Sequence, residues 1–126
     1  MKQFILIITL IFFPIMSIGQ DKGALINFET NIIDYGKIVK GSNGIRTFSF
    51  KNIGDAPLEI QDVRSSCGCT IPKKPKAPIA PNEKGEIQVK YDTNRLGIFR
   101  KTITVNTNVN EASVITLNIK GEVVAN

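Results

Sequence analysis

Residues 102–123 read TITVNTNVNEASVITLNIKGEV, and this stretch decides the fold class of the chain. Within it, residues 102–106 and 115–119 each alternate apolar side chains with threonine or asparagine. A period of two, apolar against polar, is typical of β-strands that have one face on a core and the other in water. The cluster at 108–111 between the two runs has the composition of a turn. The stretch therefore predicts two β-strands joined by a short connection.

Five more runs of this kind precede it, and clusters rich in Gly, Pro, Asn and Asp separate them. The runs are Leu25–Phe28, Ile33–Val39, 48–51, 58–61 and 87–92. No stretch that follows the first nineteen residues keeps a helical period for ten residues. Seven short alternating strands at this spacing predict an all-β chain that folds as a single seven-stranded antiparallel β-sandwich.

The N-terminus has the pattern of a secretory signal peptide. Lys2 supplies a positive charge, and an uncharged apolar stretch follows from Phe4 to Ile18. Ser17-Ile18-Gly19 is a small-x-small cleavage triplet, so we expect a signal peptide at 1–19 and one domain at 20–126. The apolar stretch is shorter than the ~20 residues of a membrane-spanning helix, and no second candidate follows, so we expect no transmembrane span after cleavage. The protein is predicted to be exported, either to the periplasm or to the cell surface.

The composition excludes several classes of function. The chain has no His and no Trp, and its formal net charge is +5. Without His, a cysteine-protease or serine-triad mechanism lacks its general base, and a structural zinc site lacks ligands because only two cysteines are present. The basic residues are not interleaved with aromatic residues, so nucleic-acid binding is not predicted. We expect no cofactor and no enzymatic activity.

The middle of the chain carries a proline repeat. Pro72, Pro75, Pro78 and Pro81 recur at every third position, which is the period of a polyproline II helix. Proline donates no hydrogen bond, so this segment cannot be a central strand. We interpret it as an extended connection that crosses from one sheet to the other. The alternative is a basic docking ridge, because three lysines lie among the prolines.

The order of motifs resembles a family of short exported bacterial Ig-like domains of unknown function. The resemblance rests on Asp34-Tyr35-Gly36, on Phe48-x-Phe50-x-Asn52-x-Gly54, on the pentad Ser66-Cys67-Gly68-Cys69-Thr70 and on Leu117-x-Ile119-x-Gly121. It runs from Phe28 to Val123, and the family is in turn similar to pilus-chaperone and Hydin-type Ig-like sandwiches. The resemblance implies an Ig-like sandwich and export, and it implies no established activity. One departure is Asn82, which stands where the family has glycine and which tolerates a left-handed conformation.

Several motif residues have a structural explanation. Four aromatic residues lie in phase with the apolar face and are predicted to belong to the core: Phe48, Phe50, Tyr91 and Phe99. Asp34-Tyr35-Gly36 is predicted to be a turn with a half-buried ring. Asp34, Asp55 and Asp92 lie next to turn residues, where capping and Asx turns are more common than catalysis. Asn52-Ile53-Gly54 is predicted to turn the chain at a strand end through positive φ angles.

The pentad holds both cysteines, and a single glycine separates them. Residues two apart have Cα atoms at roughly 5–7 Å, a range that overlaps the ~4.4–6.8 Å of disulfides. A Cys67–Cys69 bond is therefore feasible, with Gly68 giving the backbone freedom to close the ring. So small a ring is a weak staple and easily reduced. We favour a pair that shapes the loop. A redox-active dithiol, a bond to a partner, Cu(I) binding and an ordinary core role remain alternatives.

The sequence thus predicts an exported, non-enzymatic binding or structural module. Its partner is expected to be a protein or another component of the cell envelope. Thiol–disulfide redox chemistry is the alternative function, followed by Cu(I) binding. The candidate interaction or redox loop comprises Ser66, Cys67, Gly68, Cys69, Thr70, Lys73, Lys74 and Lys76.

Overall fold

The computed structural model describes residues 23–110 and 112–126, and the regular structure in these ranges is entirely β. The strands are β1 (Ile26–Phe28), β2 (Ile32–Val39), β3 (Ile45–Asn52), β4 (Ile60–Ser65), β5 (Thr70–Lys73), β6 (Lys84–Tyr91), β7 (Gly97–Thr107) and β8 (Val114–Val124). The predicted signal peptide at 1–19 lies outside the described residues, and the domain boundary at Gln20 stays a prediction. Within the described ranges, no helix is long and apolar enough to cross a membrane.

Two four-stranded sheets form the sandwich, with orders β1-β3-β6-β5 and β2-β8-β7-β4. This arrangement confirms the predicted Ig-like sandwich, with two differences. There are eight strands rather than seven, because β5 was not predicted. In addition, β2 and β8 run parallel, whereas every strand was predicted to have antiparallel neighbours.

The core lies between the sheets and is built by the alternation that the sequence shows. In β6, for example, Ile87, Val89 and Tyr91 are buried while their neighbours face outwards. Phe48 and Leu117 are buried completely and come from opposite sheets. Fully burying a side chain of this size stabilises the fold by about 1.5–3 kcal/mol relative to exposure, so each inward position contributes substantially.

β5 is an edge strand, which explains how it accommodates Pro72. The N–H of Asp92 donates to the carbonyl of Cys69 at 2.8 Å, so Cys69 and Asp92 form a hydrogen-bonded pair in the β5–β6 ladder. Hydrogen-bonded pairs alternate along an antiparallel ladder, so Pro72 occupies a position whose N–H would face away from β6. The missing donor therefore costs β5 no ladder bond.

The segment between β5 and β6 stays at the edge of one sheet. Both strands belong to the sheet β1-β3-β6-β5, so the interpretation of this segment as the crossing between sheets is wrong. On its way it forms one antiparallel bridge, in which the N–H groups of Leu58 and Ile79 each donate to the other's carbonyl at 2.8 Å. The segment then turns at Asn82, whose φ of 67° confirms the expected left-handed conformation.

A buried asparagine holds this region together. The Asn52 Nδ2 donates to the carbonyls of Ala56 and Ile79 at 2.8 and 2.9 Å, and its Oδ1 accepts from the N–H of Gly54 at 2.9 Å and, more weakly, of Leu25 at 3.4 Å. The side chain is completely buried. Neither Asn52 nor Gly54 has a positive φ, so the predicted mechanism of this turn is wrong. Hydrogen bonds of the asparagine side chain shape the turn instead.

Candidate functional site

The Cys-Gly-Cys loop, residues 66–69, is the connection that crosses between the sheets. It joins β4, the edge of one sheet, to β5, the edge of the other. Cys67 and Cys69 are joined as a disulfide, and their Cα atoms lie 5.3 Å apart. The φ of Gly68 lies outside the left-handed region, and an added Cβ would meet nothing within 4 Å. The ring therefore closes without the conformational freedom that we attributed to glycine.

Hydrogen bonds fix the loop to the body of the domain at both ends. At the start, the N–H of Ser66 donates to the carbonyl of Thr102 at 2.9 Å, and the Thr102 N–H donates back to the Ser66 Oγ at 3.1 Å. At the end, the carbonyl of Cys69 accepts from the N–H of Asp92. The loop is thus held to β7 and to the β6–β7 connection, which leaves its middle as the accessible part.

The two sulfurs lie in different surroundings. Cys69 is buried in the core, and Cys67 is half-buried against it. The Cys69 N–H donates to the Cys67 Sγ at 3.2 Å, and the Thr70 hydroxyl lies 3.9 Å from the Cys69 Sγ. Cys67 is therefore the more exposed of the two residues.

Of the pentad, only Ser66, Cys67 and Gly68 are available to a partner. Ser66 and Gly68 are exposed, whereas Cys69 and Thr70 are buried. Thr70 begins β5 opposite Tyr91 and contributes to the core. The structure thus divides the pentad into an outer half, Ser66 to Gly68, that a partner can touch, and a buried inner half, Cys69 and Thr70.

The three candidate lysines are exposed, but they do not act alike. The Lys74 Nζ donates to the carbonyl of Gln61 at 2.8 Å, which ties this side chain to the edge of β4. Lys73 and Lys76 form no ion pair with any residue in the described ranges. They flank the proline segment next to Glu86 and Gln88 of β6. Of the three, Lys73 and Lys76 are therefore free to meet an anionic group.

β5 connects the loop with the lysines and adds an apolar side chain that sequence reasoning missed. Ile71 is 64% exposed and points out of the sheet, as Lys73 does two residues later. A single isoleucine between Thr70 and Pro72 carries no periodic signal. Only its place on an edge strand shows that it faces solvent.

An aromatic cluster supports the same end of the sandwich. The rings of Tyr91 and Phe99 stack with centroids 3.8 Å apart, and Tyr35 meets Phe99 edge-on at 5.3 Å. Tyr35 is buried rather than half-buried, and its hydroxyl donates to the carbonyl of Gly44 at 2.8 Å. Burial raises the pKa of Tyr35 to about 12, although the nearby Arg46 guanidinium opposes the rise. Tyr91 and Phe99 are core, as predicted, and Tyr35 joins them.

Two of the aspartates have the predicted turn roles. Asp34 Oδ1 accepts from the N–H of Gly36 at 2.8 Å, and Asp92 Oδ1 accepts from the N–H of Asn94 at 3.1 Å. Both are Asx turns. In the described part of the chain, no group of three or more His, Cys, Asp or Glu residues lies close enough to hold a metal ion.

The sequence profile of one protein family matches residues 26–123, well over half of the chain. The family is described as "Protein of unknown function (DUF1573)". The chain belongs to this family. The match includes the Cys-Gly-Cys loop and all eight strands except the last residue of β8. Among curated proteins, none matches this DUF1573 member.

Solved structures resemble the DUF1573 domain in fold. A protein of unknown function from Porphyromonas gingivalis W83 superposes with a TM-score of 0.72 at 14% identity over 86% of this chain. This chain spans only 51% of that protein's length. A PapD-like domain of human CEP192 gives 0.66 at 7% identity, covering 84% of this chain and 87% of that domain. The periplasmic chaperone SfaE gives 0.52 at 10% identity, covering 79% and 57%. At such identities these structures show an Ig-like sandwich fold and nothing about activity.

Proposed function

We propose that the protein is an exported, non-enzymatic binding or structural module. Its interaction site is the outer half of the Cys-Gly-Cys loop together with β5 and the lysines that follow it. The observation that carries the proposal is the exposure of Ser66 and Gly68 on a loop that is pinned at both ends and closed by a disulfide. A loop held in one conformation loses little entropy when it binds, which favours recognition.

Export is part of the proposal and rests on two supports. The first nineteen residues have the charge, apolar length and cleavage triplet of a signal peptide. A disulfide is also maintained most readily in an oxidising compartment outside the cytoplasm. The fold similarity to a periplasmic chaperone agrees with this location.

The chemistry around the site favours binding over catalysis. The chain has no His to act as a general base, and the site offers lysines, a disulfide, hydroxyl groups and one exposed isoleucine. Ile71 supplies apolar contact, while Lys73 and Lys76 supply charge. A protein or envelope polymer that presents an apolar group next to anionic groups fits this combination.

The test is capture of envelope components by the tagged full chain, expressed so that the cell processes its N-terminus. One variant carries Lys73→Gln and Lys76→Gln, and a second carries Cys67→Ser and Cys69→Ser. The matched control is Lys40→Gln with Lys51→Gln, which removes the same charge from exposed positions elsewhere. We expect both site variants to lose the partner that the control retains. Equal capture by all four proteins refutes the site.

Thiol–disulfide exchange is the second candidate, favoured by the N–H of Cys69 that donates to the Cys67 sulfur. A hydrogen-bond donor on sulfur favours the thiolate. In this function a partner dithiol is oxidised, while the disulfide gains two electrons and two protons. A reduction potential well above about −300 mV supports it, and a lower value indicates an inert loop closure. The hypothesis that the reduced cysteine pair binds Cu(I) is excluded if the reduced protein fails to compete with a weak chelator for Cu(I).

A further inference from the structure

The four edge strands of the sandwich differ in their capacity to pair with another strand. β1 has only three residues, and β2 is interrupted by an irregularity between Asp34 and Lys37. On β5, Pro72 has no N–H, and the outward N–H of Thr70 already donates to the Cys67 carbonyl at 3.4 Å. Short strands, bulges and prolines are devices that block edge-to-edge association. β4 also has an irregularity, between Ile60 and Asp62, but its register with β7 is regular from Asp62 to Ser65. In the described part of the chain, this half of β4 is the edge stretch without such a block.

The hydrogen-bond pattern shows which groups of β4 face outwards. The N–H of Ser66 donates to the carbonyl of Thr102. Counting back along β4 in steps of two, Arg64 and Asp62 are the other residues whose backbone groups face β7. Because bonded pairs alternate in an antiparallel ladder, the N–H and C=O groups of Val63 and Ser65 point away from β7. The Gln61 carbonyl also faces outwards, since it accepts from Lys74.

We propose that a second copy of this chain pairs with the free edge of β4 in antiparallel orientation, about a two-fold axis at Val63. This register places the outward groups of Val63 opposite those of the partner's Val63. It places Ser65 opposite the partner's Gln61, which lies at the irregularity of β4 and whose carbonyl already accepts from Lys74. It also places Asp62 opposite the partner's Arg64, and Arg64 opposite the partner's Asp62. The pairing joins two four-stranded sheets into one continuous sheet of eight.

Charge selects this register over its neighbours. Asp62 and Arg64 lie on the outer face of the sheet, where they form an ion pair within the chain at 2.6 Å, and their side chains are 43% and 79% exposed. In any two-fold pairing, outward backbone groups of one β4 must lie opposite outward backbone groups of the other. The next allowed register on one side places Asp62 opposite the partner's Asp62. The next on the other side places Arg64 opposite the partner's Arg64. Like charges directly opposite each other destabilise a strand pair, whereas opposite charges stabilise it. Only the register at Val63 alternates the four charges.

Apolar contact and shape agree with the same arrangement. Val63 is half-buried on the inner side of β4 and packs against the core, so two copies would extend that core across the axis. An open groove of about 240 Å³ lies between the start of β4 and the segment Lys74–Pro78. The end of the partner's β4 arrives there, where its small Ser65 and Ser66 side chains fit.

The pairing closes at two copies. An axis through Val63 uses the same strand in both chains, so neither chain keeps a second free β4 edge. Lys74 and the proline segment bound the pairing on one side, which limits it to about five residues per chain. So short an interface predicts a weak, reversible dimer rather than a permanent one.

The test is sedimentation equilibrium of the full chain, processed by the cell that expresses it, over micromolar to millimolar concentrations. Asp62→Arg makes all four charges at the axis positive, and Arg64→Asp makes them all negative. We expect each variant alone to dimerise at least about tenfold more weakly than the wild type, because two attractive pairs become repulsive. Mixing the two variants should restore association as a heterodimer, and the double reversal Asp62→Arg with Arg64→Asp should restore the homodimer.

Matched controls keep the test independent of folding. Both side chains are exposed, so circular dichroism and thermal melting should be unchanged in every variant. A wild-type protein that is monomeric at all concentrations overturns the proposal. A dimer whose dissociation constant is unchanged by both charge reversals also overturns it. A mixture that fails to associate also overturns it. If β4 instead pairs with an extended segment of another protein, the wild type alone remains monomeric and the proposal fails.

Discussion

Replacement of Asn52 should destabilise the domain more than any other single polar substitution described above. In Asn52→Ala, the carbonyl of Ala56 and the N–H of Gly54 lose the partners that Asn52 provides, at 2.8 and 2.9 Å. The Ile79 carbonyl loses one of its two donors but keeps the Leu58 N–H. The contact with Leu25, at 3.4 Å, is weak.

The magnitude follows from three well-formed bonds at a completely buried site. Each contributes a net ~1 kcal/mol, and a buried group left without a partner costs ~1–3 kcal/mol. Asn52→Ala should therefore lower the free energy of unfolding by about 3–5 kcal/mol. That loss is a large share of the ~5–15 kcal/mol of a typical domain.

Urea unfolding followed by circular dichroism and tyrosine fluorescence measures the change, since both tyrosines, Tyr35 and Tyr91, lie in the core. The matched control is Asn27→Ala on β1, an exposed asparagine that should shift stability by less than about 0.5 kcal/mol. A loss below about 1 kcal/mol in Asn52→Ala would refute the assignment of Asn52 as the anchor of this region.

Asn52→Asp tests the direction of the hydrogen bonds. The new carboxylate keeps the acceptor that faces Gly54 but turns an oxygen towards the carbonyls of Ala56 and Ile79. Burial and these carbonyls should raise the pKa of the new carboxyl in the folded protein above its unfolded value. The variant should then be most stable below the unfolded pKa of ~3.9, and should lose stability as the pH rises through the folded pKa. An Asn52→Asp protein that is equally stable at pH 3 and pH 7, relative to wild type, contradicts this geometry.

Three further predictions concern the disulfide, Tyr35 and two glycines. Reduction of the Cys67–Cys69 disulfide should lower the free energy of unfolding by less than about 2 kcal/mol, because the closed ring is so short. Thermal melting with and without a reductant measures the change. A larger loss would mean that the bond stabilises more than its own loop. The free energy of unfolding should fall as the pH rises above ~10 towards 12, because the pKa of Tyr35 is raised to about 12 in the folded protein and the unfolded tyrosine ionises first. In Tyr35→Phe this alkaline decline should be shallower. An unchanged decline would exclude Tyr35 as its source. Gly54→Ala should unfold or severely destabilise the domain, because its Cβ would lie 2.1 Å from the carbonyl oxygen of Gly23. Gly68→Ala, with open space around it, should match the stability of the wild type within about 0.5 kcal/mol. Similar losses of stability in the two variants would contradict the geometry of the Cys-Gly-Cys loop.

The sandwich could be predicted from the sequence because its strands alternate regularly. β6 and β8 show the pattern most clearly, since each has one face on the core and one in water. β5 could not be predicted in this way. It has four residues, includes Pro72, and presents Ile71 to solvent, so no alternation marks it. The parallel pairing of β2 with β8 could not be predicted either, because pairing between distant strands leaves no local signal in the sequence.

The candidate loop was only partly accessible to sequence reasoning. The spacing of Cys67 and Cys69 indicated that a disulfide is feasible, and the structure places the two Cα atoms at 5.3 Å. The division of the pentad into exposed and buried halves could not be foreseen, because it depends on how β4 and β5 reach different sheets. For Asn52, the sequence predicts a turn residue with a positive φ angle. A buried hydrogen-bonding role looks the same in sequence as a turn, because asparagine followed two residues later by glycine fits both.

The parallel pairing of β2 and β8 also has a consequence for when the domain can fold. Ile32 pairs with Asn118 and Val39 with Val124, so β2, the second strand of the domain, finds its partner only in the last of the eight strands. Until β8 has left the ribosome, the sheet β2-β8-β7-β4 lacks the strand that joins its first member to the rest. Long-range pairing of this kind forms late and slowly. If the protein is exported as proposed, the domain would remain unfolded until β8 is available, which is the state in which a polypeptide can be threaded across a membrane.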